Sequence, residues 1–544
     1  MSDHTSWIFR LSERLHIVIA LLAALLLTVI LAVAVGSGDT AKVVVVMMVL
    51  GGVALVLMLG DKYWMVLPFA FASQLPAIPI QGRFLELPEI ATVFCSVAFL
   101  VRLAVKRQKL TFFSKQHAPF LLYAGWVAFI FFLHPVGLSA FSGSTSGLGG
   151  ARFYAKIFLA LIAFIIMANQ ELSEKDCKAI VIMALVGGFL ESAYSIAVYF
   201  VPILGEQANV QLAADPDDFY SWQQGLAGVP MLLLGFGFAR YRASELFSMN
   251  KLWAVIGFGL CVVLIAMSGK RGALASIPMF AVIAAFLRRE WGYLMFWLGG
   301  ALLAGTIIVL GHGELFRFPL TVQRAFSILP AQWDAELGED FAGGKDAFRA
   351  ELRRLALKKI AEDPWIGTGY QVDLSVADAL MVQRITVGGD MELQVMPFAL
   401  GSSWHNTWLG YAADFGIPLS VITALIYFAV IRSSYRLALR FPPGSMRATL
   451  AAYLFLTATI RLLRSHTSGH SADDTFGHWW SYGVLVALGI AYAKSAASPA
   501  PSGALSPLEP SPPAGATRPP APSLSGSRPA GARAGTFAPG SLRR

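Results

Sequence analysis

Long apolar runs separated by short polar and charged segments make up most of the chain. Many of these runs have about 17 to 25 residues, the length at which an α-helix crosses a bilayer. The pattern predicts an all-α polytopic membrane protein with about 14 transmembrane helices. We place these helices at 17–36, 42–60, 63–80, 87–105, 118–135, 152–169, 178–203, 224–240, 252–268, 271–287, 291–311, 404–431, 446–464 and 477–494.

Two segments interrupt this pattern. Residues 312–403 predict one large loop that contains helix, and residues 497–544 are rich in Pro, Ala, Gly and Ser. A segment with so few large apolar residues cannot bury a core, so we expect a disordered tail. The chain thus divides into an N-terminal transmembrane region (1–250), transmembrane helices (251–311), the large loop (312–403), a C-terminal transmembrane region (404–496) and the tail (497–544).

Composition agrees with this division, since 56% of residues are hydrophobic and 14% are charged. The net charge of +9 could indicate nucleic-acid binding, but the basic residues recur in alternate connections between the helices. By the positive-inside rule, this pattern predicts cytoplasmic termini and an extracytoplasmic loop at 312–403, with no nucleic-acid partner. The connections that carry the basic residues are 10–14, 102–115, 240–251, 288–289 and 432–447.

The sequence gives little indication of a metal or cofactor. The three cysteines have no paired spacing, and no glycine-rich phosphate loop or Ser-His-Asp order is present. In the connection 461–474, a His-x3-His pair and two carboxylates could bind a divalent metal. Thr-Ser-Gly between the histidines weakens the helix that would align them, so we expect a solvated loop with no metal. The polar residues in question are Arg464, His466, His470, Asp473 and Asp474.

The loop segment 346–370 predicts an amphipathic helix that ends near Pro364. Arg349 and Arg353 are four residues apart and share a face of this helix. The cations could meet lipid phosphates at the membrane surface or bind a substrate, and the pattern alone favours the lipid surface. The apolar face consists of Phe348, Leu352, Leu355 and Ile360.

Several cations lie at predicted outer ends of spans, against the positive-inside rule. Lys270 and Arg271 occur in "SGKRGALASI", and Arg152 occurs in "GGARFYAK". A guanidinium there can bind a phosphate bidentately or extend to lipid headgroups. Lys156 lies one turn deeper than Arg152, and a structural ion pair is its expected role.

The stretch "SSWHNTWLGYAADFGIPL" places His405 where a long loop enters an apolar helix. Imidazole is the side chain suited to accept a proton near neutral pH. The alternative is a capping or packing role, because Ser402 or Ser403 can cap the following helix without any catalysis.

Three motifs, in this order, resemble the bacterial O-antigen ligase and polymerase family. They are a Ser-x-Arg-Gly span end, an Arg fifteen residues before a Pro-x-x-Gly-x-Gly turn, and His-Asn-x-x-Leu at the start of a helix. The resemblance covers roughly residues 250–435. It departs from the family at Lys270, which is an extra residue in the first motif, at Arg353, where Trp is frequent, and at Pro418, which replaces a glycine.

The resemblance implies transfer of a glycan from undecaprenyl pyrophosphate to a hydroxyl acceptor, at the periplasmic face of a bacterial inner membrane, without metal or nucleotide. Arg271 and Arg349 would hold the pyrophosphate, and His405 would orient or deprotonate the acceptor. Asn406 matches the family motif and would bind substrate. Lys270 and Arg353, which depart from the family pattern, and Arg152, which lies outside the resemblance, are further candidates for substrate binding because of their positions.

The sequence is compatible with three classes of acceptor. A lipid A core sugar would make the protein a ligase, a second lipid-linked oligosaccharide would make it a polymerase, and a Ser or Thr hydroxyl would make it a protein glycosyltransferase. A non-enzymatic transporter of lipid-linked oligosaccharide is a further alternative. Transporters distribute charges along their spans and often contain repeats, whereas the charges here gather at one face.

Overall fold

The computed structural model of the chain describes residues 59–73, 78–80, 83–106, 117–135, 151–200, 225–242, 245, 252–327, 329–334, 345–370, 404–466 and 471–497. The predicted spans 17–36 and 42–60 and the predicted tail 497–544 lie outside these ranges, apart from residues 59, 60 and 497. The compact unit Met1–Ser495 contains almost all of the described residues.

The described residues form α-helices, a short 3₁₀ helix (Gly60–Met65) and one antiparallel two-stranded ribbon. The ribbon consists of β1 (Ile78–Ile80) and β2 (Arg83–Leu85). In chain order the helices are α1 (Val66–Ala72), α2 (Leu87–Lys106), α3 (Ala118–Leu133), α4 (Ala151–Ala168), α5 (Glu174–Phe200), α6 (Gly228–Arg240), α7 (Leu252–Met267), α8 (Arg271–Arg288), α9 (Trp291–Gly311), α10 (Leu320–Phe326), α11 (Lys345–Glu362), α12 (Thr407–Arg440), α13 (Met446–Arg464) and α14 (Ser471–Ala497).

The helices have the properties of membrane spans. Among the described residues, six helices are long and apolar enough to cross a bilayer, and α3, α6 and α7 are shorter apolar helices. Large apolar side chains lie on their outer surfaces, such as Phe132 at 79% and Leu302 at 74% exposure. So much exposed apolar surface requires a lipid environment. The chain is therefore an integral membrane protein, and its total of 14 spans stays a prediction.

The predicted third span, 63–80, has the wrong C-terminal bound. Helix α1 ends at Ala72, Ser73 takes an extended conformation, and the chain forms β1 by residue 78. Within the ribbon, Ile78 pairs with Leu85 and Ile80 with Arg83. The prediction fails because a short apolar run has the same composition in a strand as in a helix.

The two ends of the helix bundle bring different segments of the chain together. At one end, Arg240 donates to Thr449 Oγ1 at 3.3 Å, and Arg288 donates to the Ala239 carbonyl at 2.6 Å. Helices α6, α8 and α13 thus bring residues of the predicted cytoplasmic connections together. Helices α12 and α13 pack side by side and are joined by the turn 441–445. The start of α12 and the end of α13 therefore lie together at the other end.

Candidate functional site

Helix α12 begins at Thr407, two residues after the exposed His405. His405 has φ 48°, in the left-handed region that non-glycine residues rarely adopt, and its side chain is exposed. Asn406 is the N-cap, because its side chain accepts a hydrogen bond from the Leu409 amide at 3.1 Å. The prediction that Ser402 or Ser403 caps this helix is therefore wrong, and both serines lie outside the described residues.

The amphipathic helix predicted in the large loop is confirmed as α11, but its apolar face contacts protein. Leu352 and Ala356 are fully buried and pack against Trp404 and Ala413 at the start of α12. Because this face is covered by α12, it cannot rest on the outer leaflet, as the lipid-surface interpretation requires. The helix instead lies over the entry to α12.

This packing brings the first turn of α11 to His405. The Phe348 ring contacts the His405 ring, with centroids 6.3 Å apart and planes at 67°. Arg349 follows Phe348 directly, and Arg353 lies one turn further along; both are exposed. Two of the three resemblance motifs, 349–369 and 405–409, therefore meet in space.

A turn at the end of α11 docks on a kink in α12. The Gly369 amide donates to the Asp414 carbonyl at 2.6 Å, and the Ile417 amide donates to the Pro364 carbonyl at 2.8 Å. At the kink, Gly416 has φ 78°, and a Cβ there would overlap the Trp365 carbonyl. Only glycine fits this conformation and this close approach. The Pro-x-x-Gly-x-Gly turn thus fixes where α11 lies.

A buried ion pair reinforces this docking. Asp414 is fully buried, and Lys359 Nζ lies 3.3 Å from its Oδ1. Trp404 Nε1 also donates to this carboxylate, at 3.2 and 3.3 Å, and Lys359 Nζ lies 5.1 Å from the Trp404 ring centroid. A buried carboxylate requires such partners, since an unpaired one is strongly unfavourable.

The third motif forms the turn between α7 and α8. Gly269 has φ 68°, and the Lys270 amide donates to Ser268 Oγ at 3.3 Å. Ser268 itself donates to the Ile265 carbonyl at 2.6 Å, so its hydroxyl shapes the turn. Arg271 is then the first residue of α8.

The C-terminal end of α13 joins this turn to the start of α12. Arg464 Nη1 donates to Ser276 Oγ on α8 at 3.2 Å. Two residues later, the His466 carbonyl accepts a hydrogen bond from Asn406 Nδ2 at 3.2 Å. All three motifs thus reach one end of the bundle: the α8 motif touches α13, α13 touches the His405 turn, and α11 lies over that turn.

Arg152 belongs to a different group of charges. Its guanidinium lies 3.0 Å from Glu86 and 3.1 Å from Glu89, and Lys156 lies 2.8 Å from Glu86. The structural ion pair predicted for Lys156 is confirmed. Because two carboxylates hold Arg152, it has a structural role beside any contact with substrate.

Of the connection predicted at 461–474, residues 461–464 belong to α13, residues 471–474 belong to α14, and residues 467–470 lie outside the described residues. His470 and the side chains of Asp473 and Asp474 lie outside the described residues, whereas His466 is exposed. Within the described ranges, no group of three or more His, Cys, Asp and Glu side chains could hold a metal ion.

Sequence reasoning missed Asp414 and Lys359, and it assigned Arg464 only to a possible metal loop. The sequence contained a signal for Asp414, because a carboxylate inside an apolar run requires a specific partner. The partner lies 55 residues away on another helix, and spacing does not reveal it.

These features define an integral membrane protein with a cationic, histidine-containing candidate site at one end of its helix bundle. The sequence model of the O-antigen ligase family matches residues 256–424, the segment that contains all three motifs. Over these residues the chain is similar to the O-antigen ligase family. The comparison with curated proteins gives no match.

Proposed function

We propose that the protein is an O-antigen ligase that transfers a glycan from undecaprenyl pyrophosphate to a hydroxyl of the lipid A core. The observation that carries this proposal is the meeting of the three motifs at one end of the bundle, where α11 contacts the turn of His405 and α13 contacts both that turn and α8. The family match over the same residues supports it.

The proposed reaction is a direct displacement at the anomeric carbon. The acceptor oxygen attacks C1 of the donor sugar, the bond between C1 and the phosphate oxygen breaks, and its electron pair leaves with the pyrophosphate. His405 accepts the hydroxyl proton, a contribution of typically about 10² to 10⁴ in rate. Attack opposite the leaving group inverts the anomeric configuration. The exposed position of His405 suits a base that must meet an incoming acceptor.

The cations stabilise the charge that develops on the leaving pyrophosphate. Arg271 and Arg349 are assigned this role, since a planar guanidinium can bind phosphate oxygens bidentately. Lys270 and Arg353 extend the positive surface on either side. In this proposal, residues of the chain supply all the electrostatic stabilisation, without a metal or nucleotide cofactor.

Two further residues have roles that follow from their contacts. Asn406 uses its amide to cap α12 and to bind the end of α13, so we assign it to positioning His405 rather than to direct substrate contact. Arg152 is held by Glu86 and Glu89, and the proposed reaction does not use it.

We place the site at the periplasmic face of the inner membrane, with cytoplasmic termini. The supporting argument is the positive-inside rule, applied to basic residues that the fold collects at the end opposite the site. Arg240 and Arg288 are two of these residues.

The test uses purified full-length protein in nanodiscs with an undecaprenyl-pyrophosphate-linked glycan. Lipid A core and a second lipid-linked unit are supplied as acceptors in separate reactions. A glycan joined to lipid A core supports the ligase, whereas a ladder formed only on the lipid-linked unit would make the protein a polymerase. Without product from either acceptor, the proposed function is wrong.

A second arm tests the role of His405. The His405→Ala variant should lose at least about 100-fold in rate, because the acceptor proton then lacks a base. Its abundance and melting temperature should match those of the wild type. A fully active variant would exclude His405 as the base while leaving glycan transfer itself intact.

A further inference from the structure

Arg464 lies at the end of α13, with its guanidinium against the first turn of α8. A Cβ built on Gly272 would lie 2.6 Å from Arg464 Nη2 and 3.2 Å from Cζ. The other terminal nitrogen, Nη1, donates to Ser276 Oγ at 3.2 Å. The guanidinium therefore covers the backbone of the residue that follows Arg271. The absence of a side chain at Gly272 makes this approach possible.

Two further cations, Lys270 and Arg271, directly precede Gly272, the residue that Arg464 covers. Burial lowers the pKa of the Lys270 amine. The negative charge of Glu191 raises this pKa, and the positive charge of Arg464 lowers it. Arg464 is therefore close enough for its charge to act on Lys270. Arg271 follows Lys270 directly in the chain. Like charges brought together away from bulk water repel one another, and a bound anion relieves that repulsion.

The position of Arg464 along the chain matters as much as its charge. Thr407 N donates to the Ser465 carbonyl at 2.9 Å, directly after Arg464, and Asn406 binds the following carbonyl. The segment that carries Arg464 therefore connects the cations of α8 with the turn of His405. By the orientation assigned above, Arg464 also lies at the outer end of a span, where the positive-inside rule disfavours a cation.

We propose that Arg464 binds the pyrophosphate of the lipid-linked donor, as a third cation beside Lys270 and Arg271. This inference rests on the proposed function, which supplies the pyrophosphate donor. The contact with Ser276 orients the guanidinium, and Arg464 thereby belongs to the substrate site. A purely structural role, joining α8 to α13, is the competing explanation, and it predicts no effect on anion affinity in a folded variant.

Gly272→Ala separates these two explanations. The added Cβ meets the flexible end of an arginine side chain, which can move away at little cost to the fold. The variant thus displaces the guanidinium and keeps every charge. Arg464→Gln removes the charge, and Arg464→Lys keeps the charge but loses the planar fork.

The primary measurement is the affinity of the purified full-length protein for inorganic pyrophosphate, in nanodiscs of zwitterionic lipid. We expect Arg464→Gln and Gly272→Ala to weaken this affinity by about 10-fold or more, with an intermediate effect of Arg464→Lys. The Michaelis constant for the lipid-linked donor should rise in parallel. Arg354→Gln is the matched control, because Arg354 binds Glu351 at 2.9 Å on an exposed face of α11. It should retain wild-type affinity.

The outcomes distinguish this inference from the proposed function. If the wild type does not bind pyrophosphate, or if a folded Gly272→Ala variant binds it normally, the assignment of Arg464 is wrong. If the variants weaken binding but the wild type transfers no glycan, the anion site stands and the proposed function fails. Nanodiscs that contain phosphatidylglycerol are the last arm. If that lipid abolishes the difference between wild type and Arg464→Gln, the cations hold lipid headgroups and the proposal is overturned.

Discussion

The ion pair between Lys359 and Asp414 should be a principal contact that docks the loop helix α11 on α12. With an effective dielectric constant of about 20, two unit charges 3.3 Å apart attract by about 5 kcal/mol. Desolvation of the buried carboxylate offsets much of this attraction, and the 22% exposure of the Lys359 side chain adds screening by solvent. We therefore expect a net coupling of about 2 kcal/mol between the two residues.

A double-mutant cycle measures this coupling. Lys359→Met and Asp414→Asn are made singly and together, and unfolding of the purified protein in detergent is followed by circular dichroism. Asparagine keeps the volume and can still accept the hydrogen bond from Trp404, so the cycle isolates the charge interaction. Each single variant should lose about 2 to 3 kcal/mol, and the double variant should lose less than their sum.

The exposed pair of Arg354 and Glu351 on the same helix is the control cycle. The hydrogen bond from Arg354 lowers the pKa of the Glu351 carboxyl, but pairs in solvent contribute less than about 1 kcal/mol to stability. If the coupling of Lys359 with Asp414 is no larger than that of the control pair, the ion pair does not dock α11 and our reasoning is refuted. Loss of docking should also slow glycan transfer, because α11, which carries Arg349, then loses its position over the start of α12.

Three further variants test other parts of the structure. Gly416→Ala should abolish transfer and lower the melting temperature by several degrees, because its Cβ overlaps the Trp365 carbonyl. Gly489→Ala is the control: its Cβ would meet open space, so its melting temperature should be nearly that of the wild type. Arg152→Gln should lower the free energy of unfolding by about 1 to 3 kcal/mol and leave the Michaelis constant for the donor unchanged. A changed Michaelis constant would instead make Arg152 a substrate contact. Arg271→Lys should be as inactive as an alanine variant in the transfer assay if bidentate binding is required, and full activity would show that charge alone suffices.

Sequence reasoning was most successful where structure depends on neighbouring residues. The predicted spans 291–311 and 446–464 coincide with the bounds of α9 and α13. Each is an apolar run between polar ends, and backbone hydrogen bonds within the helix satisfy every peptide group it takes into lipid. The amphipathic helix α11 was predicted for the same reason, since its periodicity is local.

Contacts between distant residues were not accessible in this way. The apolar face of α11 was predicted correctly, but its spacing is the same whether lipid or another helix covers it. The docking of the glycine turn at Gly416 and the pairing of Lys359 with Asp414 identify α12 as the partner. Likewise, the connection 461–474 was interpreted as a loop that could bind metal, although Arg464 covers the first turn of α8.

The sequence by itself determined that this is a membrane protein, the positions of most described helices, and the three motifs to which we assign its chemistry. Only the tertiary structure decided that these motifs meet at one end of the bundle, and that Asp414, Lys359 and Arg464 hold them there. The physical reason is the distance along the chain over which each interaction acts. Hydropathy and helical hydrogen bonding act within a few residues along the chain, whereas ion pairs and side-chain packing between helices depend on how the whole bundle folds.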